Sequence, residues 1–489
     1  MLAASLSVNN DSRNSKLAPL RTDFWQLIDG QLLSGLPALE VINPVTGSVF
    51  ASAPRATRAQ LDSAVAAARR AQPAWRDRSF AQRRACIERF CTALRERQEE
   101  LADLLTHEQG KPLSQAREEI VRAASLSSGM TAISIEGEVL IDDAQRRIEL
   151  HYVPLGVVGI ITPWNAPINL AVGPLTMALY TGNTVVLKPS PYTPLSTLRL
   201  GELLREIVPA GVVNVLAGDD ECGRWMSEHP GIDKISFTGS VASGKKVMAS
   251  AAATLKRVTL ELGGNDAAIV LDDVDPAAVA PKLFFAAFVN SGQVCMAIKR
   301  IYAHERIYEA LCEALASEAR QARVGDGMDA ATQFGPIQNR MQYDRVLSIL
   351  EDSRRRGGHI LAGGDVPAGP GYFVPPTIIT QLPEDARLVS EEQFGPLLPV
   401  QCFSDVEEAI RLANDTRYGL AASVWSRDIE RAKAIALRVE AGTVWVNQHR
   451  ATAPNVPFGG IKESGLGRNY SAIGLKGNME ARVISVLKT

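Results

Sequence analysis

The sequence of 489 residues has almost no net charge and little cysteine. Its 52 lysines and arginines nearly balance 54 aspartates and glutamates. Because there is no excess of basic residues, binding to nucleic acid or to an anionic membrane is not predicted. The six cysteines are too few for a disulfide framework, and no CxxC pair or Cys/His cluster offers metal-ligand spacing. We expect a cytoplasmic protein in a reducing compartment, with no metal.

A signal peptide and a long apolar helix are also lacking. The N-terminus has no basic segment followed by a sustained apolar run, and no fixed-period repeat occurs along the chain. Residues 150–187 contain no Asp, Glu, Lys or Arg, but four prolines interrupt them: Pro154, Pro163, Pro167 and Pro174. A membrane-spanning helix is therefore not predicted. A strand, a helix and a second strand at the centre of a parallel sheet account for the segment better.

Strand-like and helix-like patterns alternate along most of the chain. The strand-like runs GVVGIIT, TVVLK, GVVNVLAG, KISFTG and VTLELGG are separated by helical patterns. This alternation predicts βαβ units and a parallel sheet. A second series runs from AAIVL to GTVWVN and predicts a second α/β domain. The closing ARVISVLK is an alternating strand that we expect at a sheet edge or between subunits.

A glycine-rich segment lies between one of these strands and a helix. In ISFTGSVASGKKV, Gly239, Gly244 and Lys245 have P-loop spacing, but Lys246 replaces the Ser or Thr that would hold Mg²⁺. An ATP site is therefore disfavoured. A strand that leads through glycine into a helix still directs backbone N–H groups at an anion. We expect an anion that needs no metal.

Three chemically active side chains stand at turns rich in Gly or Pro. Cys295 ends GQVC, Glu261 precedes two glycines in LELGGN, and Asn165 lies in TPWNAP. Taken alone, Cys295 is better explained as a buried core cysteine than as a nucleophile. A nucleophile, a carboxylate and an amide together are the groups that acyl chemistry through an oxyanion requires.

The order of these motifs resembles the aldehyde dehydrogenase superfamily from about residue 42 to the C-terminus. Matching segments include NPVTG, EQGKPLSQAREE, TPWNAP, GNTVVLKPS, FTGS, LELGGN, GQVC, EEQFGP and PFGGIKESGLGR. Cys295 also follows Glu261 by 34 positions (295 − 261). The resemblance implies a hydrolytic enzyme that oxidises an aldehyde to the carboxylic acid with NAD or NADP.

The resemblance also implies residue roles. Cys295 is the implied nucleophile, Asn165 an oxyanion donor and Glu261 the base that activates water. The implied cofactor contacts are Trp164, Lys188, Ser190, Gly239, Ser240, Gly244, Leu262, Glu392 and Phe394. The implied substrate contacts are Val294, Met296 and Phe458. Two simpler interpretations stay open: Lys188 as a solvated strand end and Glu392 as a surface carboxylate.

The implied fold is α/β, with a Rossmann-like cofactor domain, a second α/β catalytic domain and a small β oligomerisation element. We expect the NAD(P)-binding domain at residues 1–131 and 151–262, and the catalytic domain at residues 263–470. Residues 132–150 and 471–489 are expected to form an oligomerisation hairpin and strand. A homodimer or homotetramer is implied.

Departures from the family pattern bear on specificity. Gly173 stands where many members have a bulky aromatic residue, so we expect a wide, mostly apolar tunnel. Arg450 is interpreted as a solvated charge or a subunit contact rather than as a ligand for a carboxylated substrate. Pro191 occupies the position of a carboxylate found in NAD-selective members, so NADP⁺ is expected to be accepted.

Three other functions are considered. A CoA-acylating dehydrogenase needs no carboxylate base, which Glu261 provides here. A P-loop nucleotide hydrolase is disfavoured by Lys246. A non-catalytic homologue has no reason to retain Cys295, Glu261 and Asn165 together.

Overall fold

The computed structural model describes residues 21–34 and 38–488. Residues 1–20 of the predicted cofactor domain, its residues 35–37 and the final residue of the predicted terminal strand lie outside them. Within the described residues the strands are β1 Gln26–Ile28, β2 Gln31–Leu33, β3 Ala38–Asn43, β4 Ser48–Pro54, β5 Glu138–Asp142, β6 Arg146–Pro154, β7 Val157–Ile161, β8 Thr184–Lys188, β9 Val213–Val215, β10 Lys234–Thr238, β11 Arg257–Glu261, β12 Ala267–Val270, β13 Arg300–His304, β14 His359–Ala362, β15 Thr377–Thr380, β16 Leu397–Phe403, β17 Ala421–Trp425, β18 Thr443–Val446, β19 Gly465–Leu466 and β20 Met479–Leu487. The α-helices are α1 Arg58–Arg76, α2 Phe80–Glu96, α3 Gln98–Gln109, α4 Leu113–Met130, α5 Pro167–Tyr180, α6 Leu195–Arg205, α7 Asp220–Glu228, α8 Val241–Ala252, α9 Pro276–Phe288, α10 Glu305–Gln321, α11 Arg340–Arg355, α12 Arg387–Ser390, α13 Val406–Asn414, α14 Ile429–Ala436 and α15 Ser471–Lys476.

An eight-stranded sheet has the order β19-β11-β10-β7-β8-β9-β1-β2. Its five central strands, β11 to β9 in that order, are parallel, as the alternating pattern predicts. The chain proceeds from β7 towards β9 on one side and from β10 to β11 on the other. The strand order thus reverses between β7 and β10, and open α/β sheets bind ligands at the carboxyl ends of such strands.

The uncharged segment forms β7, α5 and β8, which confirms the predicted strand, helix and strand. All residues of β7 and β8 are buried, as is most of α5. Pro167 begins α5, where its missing N–H has no helical partner to lose. Across residues 21–34 and 38–488, no helix combines the length and apolarity that a bilayer crossing requires.

A seven-stranded sheet has the order β14-β15-β16-β13-β12-β17-β18. All neighbouring pairs from β15 to β18 are parallel, whereas β14 is antiparallel to β15. The segments AAIVL and GTVWVN contain β12 and β18. The predicted second α/β series is therefore confirmed.

A separate antiparallel sheet consists of β20, β6 and β5. The closing strand β20 pairs with β6 along nine residues, from Met479 opposite Pro154 to Leu487 opposite Arg146. It lies at the edge of this sheet, and its apolar residues Val483, Ile484, Val486 and Leu487 are exposed. The predicted edge strand is therefore confirmed, while its part in oligomerisation stays a prediction.

One short strand departs from the predicted division of the chain. Gly465 and Leu466 of β19 pair with Glu261 and Leu260 of β11, in the eight-stranded sheet. They come from the segment predicted as catalytic, so the chain returns to the other sheet beside Glu261.

Candidate active site

Three cavities surround the glycine-rich segment and Cys295. The glycine-loop cavity, of about 380 Å³, is lined by nine predicted site residues: Trp164, Asn165, Gly239, Ser240, Glu261, Leu262, Cys295, Glu392 and Phe394. The α8 cavity, of about 580 Å³, is lined by Lys188 and by residues of α7 and α8. The Arg450 cavity, of about 110 Å³, is lined by Cys295, Asn165, Val294, Met296, Phe285, Arg122 and Arg450, among others.

Cys295 contributes to both the glycine-loop cavity and the Arg450 cavity. It follows a 3₁₀ turn in which Asn290 and Ser291 have φ values of 53° and 55°, a conformation that L residues seldom adopt. Burial raises the pKa of the Cys295 thiol to about 12, against the opposing effect of the Lys299 charge. The thiol is therefore protonated near neutral pH, and its attack on a carbonyl needs a base.

Glu261 is the last residue of β11 and is 6% exposed. Neither of its buried carboxylate oxygens has a hydrogen-bond partner among the described residues. Burial raises the pKa of this carboxyl to about 8, although the Arg468 charge acts in the opposite direction. A carboxyl that takes up and releases a proton close to neutral pH is suited to general-base catalysis.

Asn165 is held by hydrogen bonds through its side-chain amide and through its backbone carbonyl. Its Nδ2 donates to the Gln293 carbonyl at 2.9 Å. Its backbone carbonyl accepts from Lys111 Nζ at 3.0 Å and from Asn290 Nδ2 at 2.9 Å. Because Nδ2 has two hydrogens, one stays available to a substrate oxygen.

A buried ion pair holds the segment that contains Asn165. Lys111 Nζ lies 2.5 Å from Glu119 Oε2, and both side chains are buried. Glu119 Oε1 accepts from the backbone N–H groups of Ile168 and Asn169 at 3.0 and 3.1 Å. Neither residue was predicted to have a role, although both belong to the matching segment EQGKPLSQAREE. The signal available in the sequence was a lysine just before a helical segment and a glutamate within that segment.

Replacing Glu119 by glutamine is expected to lower the free energy of unfolding by about 3–5 kcal/mol, because it leaves the Lys111 charge buried and unpaired. Urea unfolding followed by circular dichroism measures this loss. The control is Glu96→Gln at the exposed end of α2, expected within about 0.5 kcal/mol of the parent. Equal stability of the two variants would contradict the role given to the pair.

The glycine-rich segment joins β10 to α8 at the edge of the glycine-loop cavity. Ser240 is the N-cap of α8, and its hydroxyl accepts from the Ser243 N–H at 3.2 Å. The first turn of α8 therefore offers N–H groups to an anion in that cavity. Gly244 lines neither this cavity nor the α8 cavity. A Cβ atom at Gly244 would lie 2.5 Å from Leu262 Cδ2, so this glycine allows α8 to pack against the chain after β11.

Lys188 and Ser190 lie beyond the end of β8. Lys188 is 3% exposed, and its Nζ donates to the Pro189 carbonyl at 3.1 Å. The interpretation of Lys188 as a solvated strand end is therefore wrong. Burial lowers the pKa of its ammonium group. Ser190 is buried, and its Oγ accepts from the Tyr192 N–H at 3.3 Å rather than lining a described cavity.

Glu392 and Phe394 lie on the far wall of the glycine-loop cavity. Glu392 Oε1 accepts from the Gly264 N–H at 3.0 Å, and burial raises the pKa of its carboxyl. A Cβ atom at Gly263 would collide with Glu392 Oε2, so a larger residue there would displace the Glu392 carboxylate. The Phe394 ring meets Trp164 edge-on, with centroids 5.4 Å apart. Glu392 is thus a built part of the cavity wall and not a surface carboxylate.

The expectations about the substrate side need two corrections. At about 110 Å³, the Arg450 cavity is not a wide tunnel. Beside Gly173, the Tyr470 hydroxyl lies 3.5 Å from the position that a Cβ atom would take, so a tyrosine from another segment occupies the adjoining space. Arg450 is also not a solvated charge, because its Nε is buried and its guanidinium lines the cavity.

Phe458 is buried behind the predicted nucleophile rather than in the Arg450 cavity. It belongs to an apolar cluster with Leu420, Ala421 and Trp445, and Cys295 and Met296 pack against this cluster. Phe458 therefore supports the wall of the site. Val294 and Met296 line the Arg450 cavity on either side of Cys295.

Comparison with known proteins identifies the family of this chain. A model of the aldehyde dehydrogenase family matches residues 34–484. The aldehyde dehydrogenase LUC3 from a Fusarium species is 37% identical over 96% of this chain and 99% of its own length. The NAD⁺ complex of an aldehyde dehydrogenase from Bacillus cereus is 35% identical, with a TM-score of 0.93 over 96% of this chain and 98% of that one. A structure of an NADP-dependent enzyme from E. coli has the same identity, TM-score and coverage of both chains. The chain therefore belongs to the aldehyde dehydrogenase family.

Proposed function

We propose that this chain oxidises an aldehyde to the free carboxylic acid with NAD⁺ or NADP⁺, through a thioester on Cys295 that Glu261 helps to hydrolyse. The main support is the position of Cys295 between two cavities, with an unpartnered carboxylate of raised pKa in one of them. Members of the aldehyde dehydrogenase family are NAD(P)-dependent oxidoreductases, and the chain is an enzyme of this class.

The residues of the glycine-loop and α8 cavities fit a dinucleotide. The N-terminus of α8 presents N–H groups to the glycine-loop cavity, as a pyrophosphate requires. Lys188 in the α8 cavity would face the adenosine end, and Glu392 with Phe394 the nicotinamide end. When bound, the oxidised nicotinamide accepts the hydride that leaves the aldehyde carbon. NAD⁺ is bound in the Bacillus cereus relative, and the E. coli relative is NADP-dependent.

In the first half of the reaction, the protonated Cys295 thiol must lose its proton. Glu261 is the base assigned to this step, directly or through a water molecule, because its carboxylate oxygens have no partner among the described residues, whereas Glu392 in the same cavity accepts from the Gly264 N–H. The thiolate adds to the aldehyde carbon, and the new oxyanion accepts hydrogen bonds from Asn165 Nδ2 and the Cys295 N–H. Each such donor contributes roughly 10²–10³ in rate. Loss of hydride from that carbon then leaves a thioester on Cys295.

Before the second half, Glu261 releases the thiol proton to solvent. It then removes a proton from the water that attacks the thioester carbonyl. The carbon–sulfur bond breaks, the carboxylic acid forms and the sulfur regains a proton. The same two hydrogen-bond donors stabilise this second oxyanion. A CoA-acylating reaction needs no such base, so the buried Glu261 favours hydrolysis.

The purified enzyme should therefore reduce NAD⁺ or NADP⁺ in the presence of aldehydes and without CoA. Absorbance at the wavelength of reduced nicotinamide, recorded for an aldehyde panel with and without CoA, tests this. Turnover that depends on CoA would identify the acylating alternative. ATP hydrolysis without aldehyde oxidation would identify a nucleotide hydrolase, and no turnover at all a non-catalytic homologue.

The domain plan and the assembly also belong to this proposal. The two large sheets correspond to cofactor-binding and catalytic domains, and the sheet of β5, β6 and β20 to an oligomerisation element. The boundaries are those given above, except that β19 joins the eight-stranded sheet and β6 extends to Pro154. The exposed apolar edge strand β20 supports a homodimer or homotetramer, because such edges are normally covered. Light scattering tests this, and a monomer would overturn it. The six unpaired cysteines support a cytoplasmic location.

Cofactor selectivity is expected to be weak, with NADP⁺ and NAD⁺ differing by less than about 100-fold in kcat/KM. Pro191 gives no carboxylate to repel a 2′-phosphate, while Lys188, Lys246 and Arg224 line the α8 cavity beside two acidic residues. Pro191→Glu should shift the ratio of the two kcat/KM values towards NAD⁺ by at least about 10-fold. Tyr192→Glu, which adds the same charge at the exposed neighbouring residue, is the matched control. Strict NAD⁺ dependence of the parent would show that another group sets the preference.

A further inference from the structure

We propose that the Arg450 cavity selects short aldehydes that carry a carboxylate, a preference that rests on the proposed aldehyde oxidation. The cavity contains the predicted nucleophile Cys295 together with two guanidinium groups, those of Arg122 and Arg450. An aldehyde with a negatively charged far end would place its carbonyl at the sulfur and its carboxylate at the arginines.

Arg450 is a cation whose donors are incompletely used. Its Nε is buried and has no hydrogen-bond partner in the part of the chain that the structure describes. Its guanidinium carbon lies 5.7 Å from the centroid of the Phe285 ring, which also lines the cavity. Burial lowers the pKa of Arg450 to about 10, so the group keeps its proton near neutral pH. An anionic partner would stabilise a buried guanidinium that has a donor without a hydrogen-bond acceptor.

Arg122 adds a second positive charge to the same cavity. Its Nη2 donates to Thr452 Oγ1 at 2.6 Å, which fixes its position beside the Arg450 loop. Arg122 and Arg450 repel each other, as the effect of Arg122 on the pKa of Arg450 indicates. An anion bound between two guanidinium groups would relieve this repulsion.

The other charged residues of the cavity do not cancel this excess. Lys111 and Glu119 neutralise each other in the buried ion pair. Glu118 is the other acidic residue of the lining. It attracts Arg450, but its side chain is exposed to solvent. Counted over residues 21–34 and 38–488, the lining therefore has three basic and two acidic side chains, a net charge of +1.

The backbone of Arg450 indicates that its placement is specific. Its φ is 66°, in the left-handed region that is unfavourable for an L residue other than glycine. The loop is held by its neighbours: Trp445 Nε1 donates to the Ala451 carbonyl at 2.9 Å, and His449 bonds Ser423 Oγ at 2.9 Å. The strained residue is therefore the one that directs a cation into the cavity.

The volume of the cavity limits the length of the substrate. It measures about 110 Å³. A protein cavity of about 150 Å³ holds one benzene molecule. A short chain that joins the aldehyde to a carboxylate fits better than a large aromatic or long aliphatic aldehyde.

The test compares 4-oxobutanoate with its uncharged methyl ester, using kcat/KM at saturating dinucleotide. The parent enzyme is expected to favour the acid by at least about 10-fold. Arg450→Gln should reduce the ratio of acid to ester by about 10- to 100-fold, the range for losing a charged hydrogen bond in a polar site. Arg450→Lys should retain part of the preference, because it keeps the charge but not the planar fork.

Arg122→Gln is the second variant and should also reduce the ratio of acid to ester. It provides the test if Arg450→Gln fails to fold. Arg411→Gln on the exposed face of α13 is the matched control and should leave the ratio unchanged. A parent enzyme that oxidises both compounds equally well would overturn this inference alone. If the enzyme oxidised none of the three compounds, 4-oxobutanoate, its methyl ester and propanal, the proposed function would be overturned instead.

Discussion

Replacing Cys295 by alanine is expected to lower aldehyde oxidation below about one thousandth of the parent rate, since no other nucleophile among the described residues lines both the glycine-loop cavity and the Arg450 cavity. Affinity for NAD⁺ or NADP⁺ should stay within about two-fold, because Cys295 lies away from the α8 cavity that would hold the adenosine end. Steady-state absorbance measures the first quantity, and quenching of tryptophan fluorescence by the dinucleotide measures the second.

Cys402→Ala is the matched control for this experiment. Cys402 is an exposed cysteine on β16, and its replacement should leave both quantities unchanged. If the Cys295 variant retained a tenth of the parent rate, the covalent mechanism would be wrong. Loss of dinucleotide binding in that variant would show a structural rather than a chemical role.

Glu261→Gln is expected to slow steady-state turnover by about 10²–10⁴-fold, the range for a general base. If an external base or hydroxide can still remove the thiol proton, hydrolysis should suffer more than acylation. A pre-steady-state burst close to one reduced nicotinamide per active site, followed by slow turnover, would reveal the trapped thioester. Rapid-mixing absorbance measures both phases, and Glu206→Gln on an exposed residue is the control.

The pH profile provides a second measurement on the same carboxyl. Its pKa of about 8 means that the parent enzyme holds Glu261 mostly protonated at pH 7. A protonated carboxyl cannot accept a proton, so the hydrolysis rate should rise as pH increases through about 8 and fall roughly ten-fold per unit below it. The Glu261→Gln variant should lose this dependence. An unchanged profile in the variant would assign the titration to another group.

The fold could be predicted from the sequence because its parallel strands are apolar throughout. β7, β8 and β10 are buried on both faces, and such runs stand out from the amphipathic helices between them. The two-residue strand β19 could not be predicted in this way, because Gly465 and Leu466 have no repeating pattern and their pairing is set by the sheet they join.

The candidate site was predictable where one residue type at a turn defines the chemistry, as with Cys295, Glu261 and Asn165. It was not predictable where distant segments converge. The sequence places Arg450 and Arg122 more than three hundred residues apart, and only the folded chain brings both into one cavity. Tyr470 likewise fills the space beside Gly173 from another part of the chain, so local sequence overstated the width of the tunnel.

Within the part of the chain that the structure covers, the glycine-loop cavity and the Arg450 cavity share only Asn165, Leu170 and Cys295 in their linings. Substitutions on α4 or in the loop around Arg450 can therefore alter which aldehyde is accepted without touching the segments that would hold the dinucleotide. The converse applies to substitutions around Pro191 and α8. Mutation and selection can thus change substrate range and redox partner independently, as long as the three shared residues keep their places.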